Sequence, residues 1–188
     1  MTNPSSWVQR HARSIPDGEV LDLACGSGRH ARLLAALGHT VLALDRDPSA
    51  LAQAAGPGIV TLQADVEQAN LEQADGSATW PFETDRFAGI VVTNYLHRPL
   101  MSDLLGSLAP HGVLIYETFA LGNAEFGKPS NPDFLLQPGE LLAWATGHGL
   151  RIVAFEEGLV RAPKAAMVQR LCCAKPEFLR ASAFLGPF

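Results

Sequence analysis

The chain has 188 residues, of which 47% are hydrophobic and 18% charged, and its net charge at neutral pH is −5. This length fits a single domain, and the apolar content excludes a disordered chain because it is enough to form a full core. The negative charge argues against a protein held on nucleic acid by phosphate contacts, since such binding depends on clustered lysine and arginine.

The N-terminal sequence and the cysteines predict a cytoplasmic protein without a membrane anchor or a metal site. Residues 1–14 are polar, and no segment approaches the roughly 18 apolar residues that a membrane helix needs. Cys25, Cys172 and Cys173 are odd in number and include an adjacent pair, which gives neither a disulfide framework nor a zinc-binding spacing. We therefore expect a reducing compartment.

Short apolar runs alternate with helical stretches along the whole chain, which predicts a parallel sheet covered by helices on both faces. In the first half of the chain we expect a helix over 4–14, a strand over 19–24, a glycine turn over 25–28, a helix over 29–37, a strand over 40–44, a helix opened by Asp47 and Pro48, and a strand over 59–63. A helix over 67–73, a strand over 87–93, a helix over 99–108 and a strand over 113–118 are expected to follow. The chain should then continue with a loop over 119–137, a helix over 138–148, and strands over 151–156 and 166–173.

These elements define the expected fold class as α/β. We predict a Rossmann-like, doubly wound, seven-stranded and mostly parallel sheet that ends in an antiparallel hairpin, because only a short link joins the last two strands. A dehydrogenase domain more often has six parallel strands. Residues 1–188 are interpreted as one domain with an N-terminal helical segment over 1–18. The apolar residues of the tail should pack onto the body; they are Phe178, Leu179, Phe184 and Leu185.

The sequence VLDLACGSGRH at residues 20–30 combines a strand, a glycine turn and a helix start. Glycines let a ligand approach the backbone closely, and the free amides of the helix start attract its anionic groups. Residues 26–31 also satisfy the dinucleotide pattern Gly-x-Gly-x-x-Gly/Ala, with Asp45 downstream. A methyl-donor cofactor is favoured by Asp22 before the turn, by Asp65 directly after the third strand, and by the final hairpin.

The run VLDLACGSGRHARLLAALGHTVLALDRDPSAL at residues 20–51 resembles the class I S-adenosylmethionine-dependent methyltransferases. The glycine motif of that family, acid-x-Gly-x-Gly-x-Gly, is matched over residues 22–28 with Ala24 in place of its first glycine. The run is also similar to small-molecule members of the tellurite-resistance and thiopurine type. The resemblance covers residues 20–160 and implies methyl transfer from S-adenosylmethionine, but it does not indicate the acceptor. An NAD-dependent oxidoreductase and a non-catalytic S-adenosylmethionine-binding module remain the alternatives.

The resemblance also implies which residues contact the cofactor. The implied contacts are Asp22, Gly26 and Gly28 at the methionine half, with Ala24 in the same turn; Asp45 at the ribose hydroxyls, with Arg46 beside it; Asp65 and the Val66 amide at the adenine; and Asn94 at the methyl group. Asp45 has the alternative of capping the following helix, but Asp47, directly before Pro48, is better placed for capping.

Methyl transfer requires alignment of the reactants and exclusion of water, so no catalytic triad is expected. A base is needed only where the acceptor must lose a proton. His97 is one candidate, because histidine exchanges protons near neutral pH, although it is equally placed to be a surface residue at a helix start. Tyr116 and Glu117 are the others, since a carboxylate in an apolar strand is costly unless it is paired or belongs to a site.

The loop over 119–137 is expected to lie on the acceptor side, or else to brace the fold. Its Phe126, Lys128, Asn131 and Phe134 are candidate acceptor contacts, since long loops in compact domains are usually functional. The chain lacks the Asn-Pro-Pro-aromatic motif of methyltransferases that act on nucleobase or amide nitrogens, because residues 94–97 read Asn-Tyr-Leu-His. We therefore expect a small-molecule substrate rather than a nucleic acid.

Overall fold

A computed structural model of the chain describes residues 3–67 and 80–177. Within these ranges the chain forms one seven-stranded sheet. Its strands are β1 (Glu19–Leu23), β2 (Thr40–Asp45), β3 (Ile59–Gln63), β4 (Phe87–Thr93), β5 (Leu108–Phe119), β6 (Arg151–Val160) and β7 (Ala166–Ala174). Their order in the sheet is β3-β2-β1-β4-β5-β7-β6. The first five strands pair in parallel, whereas β7 runs antiparallel to both β5 and β6. The predicted fold class and the C-terminal hairpin are thus confirmed.

Helices cover both faces of the sheet, as predicted. Among the described residues these are α1 (Ser6–His11), α2 (Arg29–Ala36), α3 (Pro48–Ala54), α4 (Met101–Ser107) and α5 (Glu140–Gly147), with short 3-10 turns at Ala12–Ser14, Arg98–Leu100, Asn123–Glu125 and Pro132–Phe134. None of the helices in these ranges is long and apolar enough to cross a membrane.

The two faces of the sheet carry separate apolar cores because successive strand residues point to opposite sides. On β1, Leu21 and Leu23 face the core that α4 and α5 cover, while Val20 faces the core that α1, α2 and α3 cover. Every residue of β4 is buried, as expected for a central strand with helices on both sides. This packing fixes the carboxyl ends of β1 to β4 at one edge of the sheet.

The predicted boundaries are least accurate in the second half of the chain. β5 begins at Leu108 rather than 113, because a bulge at residues 109–112 interrupts its pairing with β4 without ending the strand. β6 extends to Val160, where it pairs with Ala166, so the hairpin is longer than its weak apolar alternation indicates. The predicted helix over 67–73 lies almost entirely outside the described residues, as do the four apolar residues of the tail.

Candidate functional site

Two neighbouring cavities lie at the carboxyl ends of the parallel strands, where open α/β sheets bind their ligands. The smaller one, cavity A, has a volume of about 210 Å³. It is lined by Leu23, Ala24, Leu44, Asp45, Arg46, Ala64, Asp65, Val66, Glu67 and Tyr95. The structure therefore brings together the predicted ribose and adenine contacts, which come from the ends of β2 and β3.

The glycine turn between β1 and α2 requires left-handed backbone conformations at three positions. The φ angles are 53° at Ala24, 52° at Gly26 and 74° at Gly28. A Cβ on Gly28 would lie 2.6 Å from the Cβ of Ala54, so this glycine permits the close packing of α2 on α3. A Cβ on Gly26 would meet no atom within 4 Å, which leaves open space beside the turn. Of the two glycines, only Gly26 has room beside it for a ligand.

Ala24 occupies the position of the family's first glycine and lines cavity A. Its left-handed conformation is one that glycine adopts freely and that costs other residues about 1–2 kcal/mol. Alanine in place of glycine at position 24 therefore costs backbone strain, although the methyl group of Ala24 adds little bulk to the cavity wall.

Asp45 connects the glycine turn to the start of α3. Its Oδ2 accepts a hydrogen bond from the Gly26 amide at 2.7 Å, and its Oδ1 accepts one from the Asp47 amide at 2.9 Å. Each carboxylate oxygen can accept a second bond, so capacity remains for two ligand hydroxyls in cavity A. Asp47 accepts from the Ser49 amide at 2.8 Å and caps α3, which leaves Asp45 free of the capping role.

The adenine end of cavity A contains both polar and apolar groups. Asp65 accepts a hydrogen bond from the Glu67 amide at 3.1 Å, and Val66 lies between the two. The Tyr95 hydroxyl is buried and has no hydrogen bond of good geometry within the described part of the chain. Burial, together with the charge of Glu67, raises the pKa of Tyr95, so its proton stays available for donation to a ligand.

Asp22, which was predicted to contact the methionine half of the cofactor, lines neither cavity. It is 0% exposed and lies between Ala43 and Val91 of the neighbouring strands. No hydrogen bond of good geometry reaches its carboxylate in residues 3–67 and 80–177. Burial raises the pKa of Asp22 to about 7, and the Ala31 amide and the charge of Arg29 only partly oppose this rise.

The larger cavity, cavity B, has a volume of about 760 Å³ and adjoins cavity A at the end of β4. Asn94 lines cavity B and Tyr95 lines cavity A, so two consecutive residues mark the junction. Asn94 has a left-handed conformation with φ 55°, and its amide donates to the Glu117 carbonyl at 2.9 Å. The residue predicted to face the methyl group thus lies where the two cavities meet.

Glu117 is the one predicted catalytic residue on the wall of cavity B. It is 8% exposed, and its Oε2 accepts from Arg170 Nε at 2.6 Å and from the Ser5 hydroxyl at 3.0 Å. Arg170 also contacts Glu156, which pairs with Arg10 of α1. This carboxylate in an apolar strand is therefore both paired and part of a cavity wall.

The N-terminal segment is a wall of cavity B that the sequence analysis missed. Ser5 caps α1, and its amide donates to His30 Nε2 at 3.1 Å. Because Nε2 accepts this bond, Nδ1 carries the proton and donates to the Thr93 hydroxyl at 3.2 Å. Burial lowers the pKa of His30 to about 3 and keeps it neutral. The sequence around Ser5 indicates a helix cap, but nothing in it points to Glu117.

Two of the three predicted catalytic residues do not reach either cavity. Tyr116 is buried in the sheet face covered by α4 and α5, where its hydroxyl donates to the Tyr95 carbonyl at 3.0 Å and burial raises its pKa. His97 is half-buried and directly precedes the 3-10 turn Arg98–Leu100. This position agrees with the alternative prediction for His97, that of a surface residue at the start of a helix.

The segment over 119–137 serves as both wall and brace. Phe126 and Lys128 line cavity B, whereas Asn131 caps the 3-10 turn Pro132–Phe134 and the Phe134 side chain is 51% exposed. The buried Asn123 side chain holds the segment by donating to the Pro129 carbonyl at 2.9 Å and accepting from the Met167 amide at 3.2 Å. Two of the four predicted acceptor contacts are thus placed at a cavity.

The described residues contain no group of three or more histidine, cysteine or acidic side chains arranged to hold a metal ion. Cys25, Cys172 and Cys173 are all buried and unpaired. Burial raises the pKa of Cys25 and of Cys172 to about 12, so neither thiol is ionised near neutral pH.

Both the family model and the curated relative that match this chain are methyltransferases. Residues 20–112 match the family model described as a methyltransferase domain. A protein-L-isoaspartate O-methyltransferase from Chlorobaculum tepidum is 35% identical over 111 residues, which are 59% of this chain and 49% of that protein. The chain therefore spans about half the length of this curated relative.

Solved structures share the fold. An S-adenosylmethionine-dependent methyltransferase from Methanosarcina mazei matches with a TM-score of 0.66 and 15% identity, covering 93% of this chain and 99% of the other. TehB from Haemophilus influenzae matches with a TM-score of 0.64 and 19% identity, covering 87% and 59%.

The antiparallel β7 between β5 and β6, the glycine turn after β1 and the acidic residue at the end of β2 are features of an α/β fold of the methyltransferase type. The match over residues 20–112 and the shared fold agree with the resemblance to the class I S-adenosylmethionine-dependent methyltransferases, whose cofactor is S-adenosylmethionine.

Proposed function

We propose that this chain transfers a methyl group from S-adenosylmethionine, held along the glycine turn and in cavity A, to a small-molecule acceptor in cavity B. The position of Asp45 is the observation that carries the proposal. Its carboxylate lines cavity A and fixes the Gly26 amide, and it retains capacity to accept from two hydroxyls. A ribose presents two such hydroxyls next to each other.

The rest of cavity A suits an adenosine. Asp65 and the Val66 backbone offer an acceptor and a donor for the adenine edge, while Leu44 and Ala64 provide apolar surface for its ring. The buried Tyr95 hydroxyl, close to Glu67, adds a donor to this wall. Arg46 lies exposed on the rim beside Asp45. The open space beside Gly26 leaves room for the methionine half to pass along the turn.

S-adenosylmethionine supplies a methyl group that is already activated by its bond to a positively charged sulfur. The contribution of this chain is to align an acceptor near Asn94 and to keep water away from it. Cavity B suits this task because it lies between the N-terminal segment, the end of β5 and the loop with Phe126. Its volume of about 760 Å³ is in the range of small-molecule sites, which favours a small molecule over a macromolecular acceptor.

We assign Glu117 to the orientation of the acceptor. Its ion pair with Arg170 and the hydrogen bond from Ser5 fix the position of the carboxylate. A second oxygen on the same side chain, Oε1, can accept a hydrogen bond from an acceptor in cavity B. His97 and Tyr116 have no part in this proposal, because neither lines cavity B.

Cofactor binding tests the proposal through a matched pair of variants. Asp45→Ala should weaken S-adenosylmethionine binding by about 1–3 kcal/mol, since the ligand hydroxyls lose their partner. Asp47→Ala removes a neighbouring carboxylate that caps α3 and should leave the affinity unchanged. Isothermal titration calorimetry measures both, with NAD as a second ligand. Equal affinities in the two variants, or binding of NAD alone, would show that the assignment is wrong.

A second experiment separates catalysis from simple binding. The protein is incubated with labelled S-adenosylmethionine and either an ultrafiltered cell extract or the retained macromolecules, and S-adenosylhomocysteine is quantified by mass spectrometry. We expect the product with the ultrafiltered fraction. Product with the macromolecules alone would contradict a small-molecule acceptor, and no product with either fraction would indicate a non-catalytic binding module.

A further inference from the structure

The wall of cavity B carries an excess of positive charge, although the chain has a net charge of −5. Its charged residues are Arg29, Lys128, Lys164, Arg170 and Glu117. Glu117 and Arg170 neutralise each other through their ion pair at 2.6 Å. Within the described residues, Lys128 and Lys164 form no ion pair. The cavity therefore presents cations without counter-charges.

The two lysines come from different parts of the fold and converge. Lys128 belongs to the loop after β5, and Lys164 belongs to the turn between β6 and β7. The Lys164 Nζ lies 3.1 Å from the position that a Cβ on Gly127 would take, so its ammonium rests against the residue next to Lys128. Both lysines line cavity B, so this part of its wall favours an anion.

The lysines lie at the end of cavity B that is remote from the glycine turn. Arg170 pairs with Glu117, whose carbonyl accepts from the Asn94 amide at the junction with cavity A. Ala166 begins β7 next to the hairpin turn, four residues before Arg170. At the rise of a β-strand these two residues are about 13 Å apart. Lys164 thus lies beyond the region proposed for the cofactor, on the acceptor side.

Apolar side chains lie beside this cationic end of cavity B. Phe126 directly precedes Gly127, which Lys164 approaches, and Val160 and Val168 belong to the same wall. A ligand bound there therefore contacts apolar surface and cations together. This arrangement selects for a molecule with an apolar body and one anionic group.

We propose that the methyl acceptor is an amphipathic anion, whose carboxylate or phosphate group is bound by Lys128 and Lys164 while its apolar body lies against Phe126. This proposal rests on the proposed function, since it identifies the acceptor class of the same enzyme. It assigns Lys128 and Lys164 as residues that determine specificity.

Three probes of similar shape test the proposal by calorimetry on protein saturated with S-adenosylhomocysteine. Benzoate and phenyl phosphate carry the anion, and benzamide is the neutral counterpart. We expect at least one anion to bind and benzamide to bind about tenfold more weakly or not at all, because the charged group loses its partners. Lys164→Ala and Lys128→Ala should each weaken binding of that anion by about tenfold.

Arg161→Ala is the matched control. Arg161 is an exposed cation next to the same hairpin turn, and it does not line cavity B. Its loss should change the affinity of the bound anion less than twofold, the small effect expected of a screened surface charge. Equal effects of Lys164→Ala and Arg161→Ala, binding of benzamide as tight as that of the anions, or no binding of either anion would overturn the proposal. Saturation with S-adenosylhomocysteine is verified first, so a failure of cofactor binding is distinguished from a failure of anion binding.

Discussion

Asp22→Asn provides a direct test of the buried carboxyl group beneath the glycine turn. Burial raises the pKa of Asp22 from 3.8 to about 7, so the folded protein holds this proton more tightly than the unfolded chain does. Between these two pH values the free energy of unfolding contributed by Asp22 falls as the pH rises. One pH unit corresponds to about 1.4 kcal/mol, which gives roughly 3 kcal/mol between pH 5 and pH 7.

Asparagine has nearly the same shape and does not titrate, so the variant lacks this contribution. From pH 5 to pH 8, the original chain should therefore lose roughly 3 kcal/mol more of its free energy of unfolding than Asp22→Asn loses. His11 and His30 titrate in the opposite sense. Burial lowers their pKa values to about 4 and about 3, so their contribution falls as the pH drops below 6.5. Both histidines are present in both proteins, and their contributions cancel.

Urea unfolding followed by tryptophan fluorescence at several pH values measures this difference. Asp47→Asn is the control, because Asp47 is exposed and its hydrogen bonds with Ser49 lower its pKa. That variant loses stability by the same amount at pH 5 and pH 8. If the stability of Asp22→Asn and that of the original chain changed with pH in the same way, the raised pKa of a buried carboxyl group at this position would be refuted.

Two further predictions concern the turn and the loop. Gly28→Ala should destabilise the fold by about 2 kcal/mol or more, because its Cβ would lie 2.6 Å from the Ala54 side chain, whereas Gly26→Ala should cost only about 1–2 kcal/mol from backbone strain and should mainly weaken cofactor binding. Thermal unfolding and calorimetry distinguish these effects, and equal stability of the two variants would contradict the packing described. Arg98→Ala should make the loop over 119–137 more susceptible to limited proteolysis, since Arg98 binds Glu140 at 2.6 Å and two carbonyls of that loop. An unchanged cleavage rate would show that the contacts of Arg98 do not hold the loop.

The elements that could be predicted from the sequence are those whose signal is local. β3 and β4 have the predicted bounds because short apolar runs are framed by clear breaks on both sides. The glycine turn, Asp45 and Asp65 follow strand ends directly, and parallel strands bring their carboxyl ends together, so cavity A could be anticipated from the order of motifs alone.

The features that were missed depend on contacts between distant parts of the chain. Ser5 and Glu117 are 112 positions apart, and only the folded sheet brings α1 to the end of β5. Tyr116 and Glu117 are adjacent in sequence, yet one faces the core and the other faces cavity B, because successive strand residues alternate. The sequence pattern does not indicate which of the two faces carries the site.

The charge of cavity B is another long-range property. Lys128 and Lys164 are isolated in the sequence, and neither belongs to a basic run. The loop after β5 and the turn after β6 meet only because β7 inserts between β5 and β6, an order that the predicted hairpin did not specify. The net charge of the chain therefore gave no indication of the local charge at the proposed acceptor site.

The cavity at the end of β2 is proposed to hold the adenosyl part of S-adenosylmethionine through Asp45. A crystal structure of the chain with S-adenosylhomocysteine tests this proposal. We predict ribose hydroxyls within hydrogen-bond distance of the Asp45 carboxylate, with the adenine beside Asp65 and Val66. A ligand bound elsewhere, with Asp45 still contacting only the Gly26 and Asp47 amides, would contradict the account.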